Sequence, residues 1–459
     1  MKLKLVVASM SVLGLVSCPL LAAATTSQHH KHMAKKHAME SQENYKDMGA
    51  LPSVVCPINT PASAIMDLMS QNVGRAKPTE DCMKLISFAG GANIDAHWGN
   101  LNYGYNGENT QKLSFNDAYL NVFGNVNDWT KAFLSLSYNT TSTDNLNSKK
   151  ASLYAVSGLQ TSGSYSDAYQ ANTFTVEQGY VTFSNFNEMP VFVQLGKQFQ
   201  PFGQYKIHPI QETLPQVLSE SLQTSAEIGF LTRMGIHGAL YVFDNSLPTR
   251  ASLTATTAAG HTQPNYGAEL GYSHPDAQLG YNVGIGYMYN FTGVNSVADG
   301  VGDYHVAATG TFTTTESFYN RVGALAVYAN INSGPFTLGG HYVTALSHFD
   351  TYDLSRQTVL LVPAASANGA QPWAADLQAG YGFNYWNKDQ NIYLGYQASG
   401  EAVNLFLPES RWLVGYGVTM WKNTDLGLEI AHDTDYGSKY GATGNSSNTI
   451  GFRVGVTFG

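Results

Sequence analysis

The end of the chain carries the pattern that most limits its fold. Residues 450–459 read IGFRVGVTFG, with large apolar side chains at every second position and Gly, Arg, Gly and Thr between them. Because successive side chains of an extended strand point to opposite faces, this alternation predicts a strand with one apolar and one polar face. Such a closing strand is typical of a membrane barrel, in which the apolar face meets lipid and the polar face lines a lumen.

The same alternation recurs along most of the chain. Segments that read as strands lie at 86–98, 113–124, 131–139, 173–184, 190–199, 229–242, 250–258, 266–273, 279–291, 319–331, 335–345, 373–384, 391–398, 410–420, 425–433 and 449–458. Short turns rich in Asn, Asp and Pro alternate with long polar segments, as the two ends of an outer-membrane barrel require. We therefore predict an all-β fold, a transmembrane antiparallel β-barrel of about 16 strands that occupies residues 85–459.

Composition agrees with a membrane barrel. Charged residues make up 12% of the 459 residues, and aromatic residues make up another 12%, whereas soluble domains usually carry about 25% charge. Outside the N-terminus we find no apolar run near the ~18 residues that a membrane helix needs. The net charge of −9 gives no basic surface for nucleic acid, so a nucleic-acid partner is excluded.

The first 84 residues read as a leader and a short extension. Residues 1–24 fit a secretory signal peptide cleaved near Ala24, although the sequence before Cys18 also resembles a lipoprotein processing site. Residues 25–84 form a His/Lys-rich tether, expected to be disordered, followed by a short helix; together they are a periplasmic extension too short for a plug domain. In an oxidising periplasm we expect Cys56 and Cys82 to form a disulfide. We expect no bound metal and no cofactor.

Three segments carry a family resemblance. Asp117–Leu120 and Glu177–Val181 lie in predicted strands, and Leu195–Gly203 (LGKQFQPFG) ends another before a long loop. With them the chain resembles the phosphate-selective (O/P-type) porin superfamily and, within it, the LbtU-type siderophore porins. The resemblance implies uptake of a ferric polycarboxylate siderophore and, since such porins are often trimeric, a homotrimer. The Pro-Phe-Gly segment is specific for the superfamily and carries no information about the solute.

The loop after this segment is the predicted constriction. Residues 200–228 carry five titratable side chains among apolar and amide residues: Lys206, His208, Glu212, Glu220 and Glu227. A barrel of about sixteen strands encloses an aqueous channel, and a loop folded inward would set what passes through it. The alternative is an ordinary surface loop.

Arginines are the candidate ligands for an anionic solute, because their planar fork matches a carboxylate or a phosphate. By alternation Arg453 and Arg233 should face the lumen, whereas the orientation of Arg321 is ambiguous. Each could instead be a lumen charge paired with a carboxylate such as Asp95, Glu269, Asp376 or Glu429. The ladder of basic residues that a phosphate channel would need is missing, which argues against phosphate selectivity.

Catalysis finds little support. His432 and Asp433 at the end of one strand, or Asp95 and His97 in another, would need a further positioned partner to form a catalytic site, so we do not expect an enzyme. The favoured function is plug-free, facilitated uptake of a ferric siderophore across the bacterial outer membrane, with membrane lipid as the surrounding partner. The alternatives are a general or anion-preferring porin for small solutes and a surface adhesin barrel.

Overall fold

The fold is described from a computed structural model. It covers residues 85–101, 108–139, 173–205, 208–245, 263–274, 279–301, 318–351, 353–357 and 369–459. The proposed signal peptide, the tether, the short helix and the Cys56–Cys82 disulfide lie outside these residues. So do Lys206 and the predicted strand 250–258.

The described residues form a closed antiparallel barrel of sixteen strands, as the alternation predicts. In chain order they are β1 (Ile86–Leu101), β2 (Glu108–Asn125), β3 (Thr130–Asn139), β4 (Thr173–Ser184), β5 (Val191–Phe199), β6 (Leu222–Leu231), β7 (Ile236–Asp244), β8 (Pro264–His274), β9 (Gly280–Met288), β10 (Ala324–Ser333), β11 (Phe336–Ala345), β12 (Trp373–Tyr385), β13 (Lys388–Gly400), β14 (Ser410–Trp421), β15 (Thr424–Thr434) and β16 (Ser446–Phe458). Each strand pairs with its neighbours in sequence, and β16 pairs with β1 to close the wall, with Ile94 opposite Val454.

One predicted strand is in fact parts of two. The segment 229–242 contains the end of β6, a tight turn at 232–235 and most of β7. Gly235 adopts φ +90°, a left-handed conformation that suits glycine because it has no Cβ. Apolar residues continue at alternate positions through this turn, which is why the pattern conceals it. The sixteen described strands therefore match the expected number through different boundaries.

The outward face of the barrel is apolar and ends in aromatic rings. Exposed side chains along the wall include Ile94, Leu240, Leu270, Ile392 and Val414. Trp129, Trp386 and Trp421 are exposed beside short turns, and Trp98 and Trp412 are exposed towards the end with the long loops. Two aromatic girdles around an apolar band match a bilayer and its two interfaces. The protein is thus a barrel of the bacterial outer membrane.

Helices occur only as short pieces in the described loops. α1 (Leu214–Ser219) follows β5, and α2 (Asn295–Gly300) follows β9; short 3-10 turns lie at Phe291–Gly293, Val403–Leu405 and Ser438–Tyr440. Thr213 caps α1, since its hydroxyl accepts a hydrogen bond from the Gln216 amide, and Pro215 lies in the first turn. Among the described residues no helix is long and apolar enough to cross a membrane.

Candidate functional site in the barrel lumen

The segment between β5 and β6, residues 200–221, lies inside the barrel. From β5 it reaches the wall on the far side of the lumen, where described residues of β9 and of β11–β15 contact it. It is shorter than the predicted loop 200–228, because β6 already begins at Leu222. We call residues 200–221 the inner loop.

Four neighbouring strands hold the inner loop by its backbone. Side chains of four residues, one from each of β12, β13, β14 and β15, make these contacts: Gln378, Gln397, Arg411 and Glu429. Gln378 donates to the carbonyl of Tyr205 at 3.1 Å, and Gln397 accepts from the amide of Leu214 at 3.0 Å. Arg411 donates to the carbonyl of Glu212 at 3.2 Å. Since every one of these bonds uses a main-chain atom, the wall fixes the path of the loop independently of its side chains.

Glu429 makes the densest of these contacts. Its carboxylate accepts hydrogen bonds from the amides of Ile210 at 2.8 Å and Gln211 at 3.2 Å, and from the hydroxyl of Tyr393 at 2.8 Å. The residue is fully buried. A buried carboxylate is tolerated when several donors satisfy it, and here two of the three donors belong to the inner loop.

On one side the inner loop completes an apolar core within the barrel. Phe202, Leu214 and Leu218 of the loop pack in one cluster with Val297 of α2 and Leu405 of a 3-10 turn. All are 3% exposed or less. The part of the lumen between β7 and β13, towards the long loops, is therefore filled, and burial of this surface stabilises the inward path of the loop.

The opposite part of the wall is polar and reached by solvent. On the inward faces of β1 and β16, the His97 side chain is 29% exposed and the Arg453 side chain 20% exposed. Asn93 on the same face is also partly exposed. These side chains point away from lipid and still contact solvent, so this side of the lumen holds water.

Both described arginines on inward strand faces are bound to aspartates. Arg453 donates from Nε to Asp95 at 2.7 Å and from a terminal nitrogen at 2.6 Å, across the β1–β16 seam. Arg411 bonds Asp433 in the same bidentate way, at 2.7 and 3.0 Å, across β14 and β15. The inward orientation expected for Arg453 is found, together with the carboxylate partner considered for it.

The other two candidate arginines lie elsewhere. Arg233 is exposed in the turn between β6 and β7, which corrects its predicted place on an inward strand face. Arg321 is exposed in the segment before β10, donates to the Tyr289 hydroxyl at 3.1 Å and lies over its ring. Tyr289 stacks on Tyr266, an exposed outward side chain of β8. Arg321 thus belongs to the outer rim of the barrel.

The predicted constriction residues divide between the inner loop and the wall. His208 lies in the loop against Thr337 of β11 and stacks on the Tyr393 ring, with 5.6 Å between centroids. Burial lowers the pKa of the His208 imidazole, so it is neutral at pH 7. Glu212 is exposed and Glu220 accepts from Gln216 at 2.7 Å at the end of α1. Glu227 is not in the loop; it lies buried on β6.

Sequence reasoning missed several lumen carboxylates and a cavity. Glu269 is buried on β8 beside the Tyr328 hydroxyl, and Asp376 is buried on β12 beside His341. Below the inner loop, at the end with the short turns, an open cavity of 580 Å³ is lined by residues that include His208, Thr337, Asp389, Asn391, Thr419 and Asp425. The inward parity of Asp389 and Asp425 was readable from the alternation of β13 and β15. We call this cavity the vestibule.

The histidine pairs considered for catalysis separate in the structure. His432 bonds Asn448 on the exposed side of β15, whereas Asp433 faces inward to Arg411. Asp95 lies 3.7 Å from His97, but its carboxylate is engaged by Arg453. Among the described residues no group of three or more His, Cys, Asp or Glu side chains is placed to hold a metal ion.

Comparison with known proteins gives distant relatives. No family model matches the chain. A UPF0422 protein of Coxiella burnetii is 23% identical over 353 residues, which cover 76% of this chain and 65% of the relative. A UPF0422 protein of Legionella pneumophila (strain Philadelphia 1) is 24% identical over 312 residues, 62% of this chain and 54% of the relative. The chain thus spans less than two thirds of the length of either relative, and neither name specifies a siderophore.

Similar solved structures are outer-membrane channels. The anion-selective porin of Comamonas acidovorans aligns with a TM-score of 0.48 at 10% identity, over 81% of this chain and 99% of that one. OprB of Pseudomonas putida gives 0.49 at 11% identity, over 81% and 94%. The outer-membrane channel DcaP of Acinetobacter baumannii gives 0.48 at 12% identity, over 81% and 97%. The porin-like channel fold itself is established by the strand pairing of this chain.

Proposed function

We propose that the protein is a passive, non-enzymatic channel that lets small polar solutes cross the outer membrane through a lumen narrowed by the inner loop. The observation that carries this proposal is the asymmetry of the lumen. The inner loop is fixed to β12–β15 by four side chains, whereas the wall formed by β16 and β1 keeps solvent-exposed polar groups at Arg453 and His97. A barrel that served only as an adhesive scaffold would have no need of a water-filled side.

The narrower proposal concerns the solute. The sequence resemblance points to a ferric polycarboxylate siderophore. Against an anionic solute stands the pairing of Arg411 and Arg453, each bound by its own aspartate. A ferric carboxylate complex would have to compete with those aspartates, so the solute class needs its own measurement.

Single-channel recording in planar lipid bilayers tests both levels. We expect discrete conductance steps in KCl from the folded barrel and none from heat-denatured protein at the same concentration. A folded barrel that stays electrically silent would refute the channel and leave the adhesin. Ferric citrate, the iron complex of a simple polycarboxylate, is then added to either side: block or slowed current supports the siderophore, and unchanged current refutes it without affecting the channel.

A further inference from the structure

We propose that the channel prefers cations and that the vestibule below the inner loop receives cationic, amine-bearing solutes. This inference rests on the proposed channel function and specifies its substrate class. Three observations carry it: the charge of the barrel, the pairing of its inward charges and the lining of the vestibule.

The barrel as a whole is acidic. Residues 85–459 contain 27 Asp and Glu against 15 Lys and Arg. A narrow aqueous path between low-dielectric walls concentrates the field of such an excess, so it enriches counter-ions of the opposite sign. The excess alone does not locate the effect within the lumen, since loops also carry charge.

The pairing of inward charges places much of the excess on the lumen wall. Arg411 and Arg453 are each neutralised by an aspartate across one strand pair. Six other carboxylates on inward strand faces form no ion pair with any described Lys or Arg: Glu227, Glu269, Asp376, Asp389, Asp425 and Glu429. Their hydrogen-bond partners are amide, hydroxyl, imidazole and backbone groups.

The vestibule exposes two of these carboxylates to solvent. Asp389 accepts one hydrogen bond from Asn384 at 2.9 Å, and Asp425 accepts one from Thr419 at 2.7 Å. Both aspartates are exposed, and a carboxylate offers about four acceptor positions, so acceptors remain for a solute. No Lys or Arg lines the vestibule.

The remaining lining also suits an ammonium group. The side-chain oxygen of Asn391 is buried at the vestibule wall and has no hydrogen-bond donor. A buried acceptor without a partner is uncommon in proteins, and an ammonium group brings three donors and no acceptor. At 580 Å³ the cavity falls within the usual size range of small-molecule pockets. An amine-bearing solute therefore matches both the charge and the hydrogen-bonding character of the vestibule.

Reversal potentials under a KCl gradient test the proposal. For the wild type we expect K⁺ to permeate roughly five times better than Cl⁻, the effect of a few like charges on one face of a narrow pore. Asp389→Asn combined with Asp425→Asn should lower that ratio at least ~2-fold, because it removes both exposed vestibule charges. Asp128→Asn is the matched control, since Asp128 lies exposed in the short turn between β2 and β3; it should leave the ratio unchanged.

Each outcome has one meaning. A conducting wild type that favours Cl⁻ or shows no preference refutes the inference, and so does a double variant with the wild-type ratio. A silent wild type refutes the channel itself, a separate failure. Folding of the variants is checked by heat-modifiable migration in detergent gels. In liposome-swelling assays lysine hydrochloride should enter faster than sodium glutamate, and the double variant should reduce that difference; equal entry into wild-type liposomes would contradict the amine preference.

Discussion

Glu429 is the residue whose change should most disturb the inner loop. Glu429→Gln keeps the size of the side chain but replaces one acceptor oxygen with a donor, so at least one loop amide, of Ile210 or Gln211, loses its partner. Leaving a buried backbone N–H unsatisfied costs about 1–3 kcal/mol. We expect noisier open-channel current and a larger mean conductance in planar bilayers, since the loop would spend more time away from the wall.

The control for this change is Glu188→Gln in an exposed short turn. It alters the same functional group and should leave current noise as in the wild type. If both variants behave alike, the carboxylate of Glu429 does not hold the loop.

Single residues show where reading the sequence succeeds. Arg453 lies in a strand whose alternation has no break, so its inward direction could be predicted, even to a partner such as Asp95. Arg233 could not, because the turn at 232–235 continues the apolar spacing of both flanking strands. Glu227 was assigned to the loop for a related reason: the start of β6 reads QTSAE, which is too polar to stand out as a strand.

At the scale of the strand, glycines opposite inward aromatic rings set the packing of the wall. The Tyr393 ring of β13 lies against Gly415 of β14, and Tyr328 of β10 lies against Gly284 of β9 in the same way. A methyl group at Gly415 would overlap the Tyr393 ring. Because Tyr393 also donates to Glu429, its displacement would reach the inner loop.

We therefore expect Gly415→Ala to lower the free energy of unfolding by about 1–3 kcal/mol, the usual cost of overpacking. Urea titration of the barrel in lipid vesicles measures it. Gly382→Ala is the matched change on β12, where the nearest atom to an added methyl is 3.8 Å away; its loss should be much smaller. Equal losses would show that the ring does not define this cost.

The inward path of the inner loop could be proposed from sequence but not decided. Its anchor Glu429 is 219 residues away from Ile210, and no local pattern connects positions so distant. The apolar residues Leu214 and Leu218 were visible, yet a surface helix and a helix packed inside a barrel use the same spacing. Contact with the far wall is a property of the closed barrel, which single strands do not encode.

At the scale of the whole molecule, the two faces of the wall should respond oppositely to charge. Ile94 and Asn93 are adjacent on β1 and therefore lie at nearly the same depth, with Ile94 outward and Asn93 inward. Ile94→Arg should cost about 2–4 kcal/mol of stability if it lies near the bilayer midplane, whereas Asn93→Arg should be tolerated by the hydrated lumen.

Urea unfolding in lipid vesicles compares the two arginine variants directly. Equal tolerance of both substitutions would mean that Ile94 does not face lipid. A greater loss for Asn93→Arg would mean that this side of the lumen is packed rather than hydrated, which would also count against a channel.

The pair Asp95–Arg453 joins residues 358 positions apart, and this separation has a consequence for biogenesis. Every other strand pair described here can form as soon as its two neighbours in sequence are present, but the seam must wait for the final segment to be delivered. Until then Asp95 lacks its guanidinium and β1 has an unpaired edge, an invitation to misassembly. Safe insertion thus depends on a periplasmic escort that shields this edge until the last residues arrive.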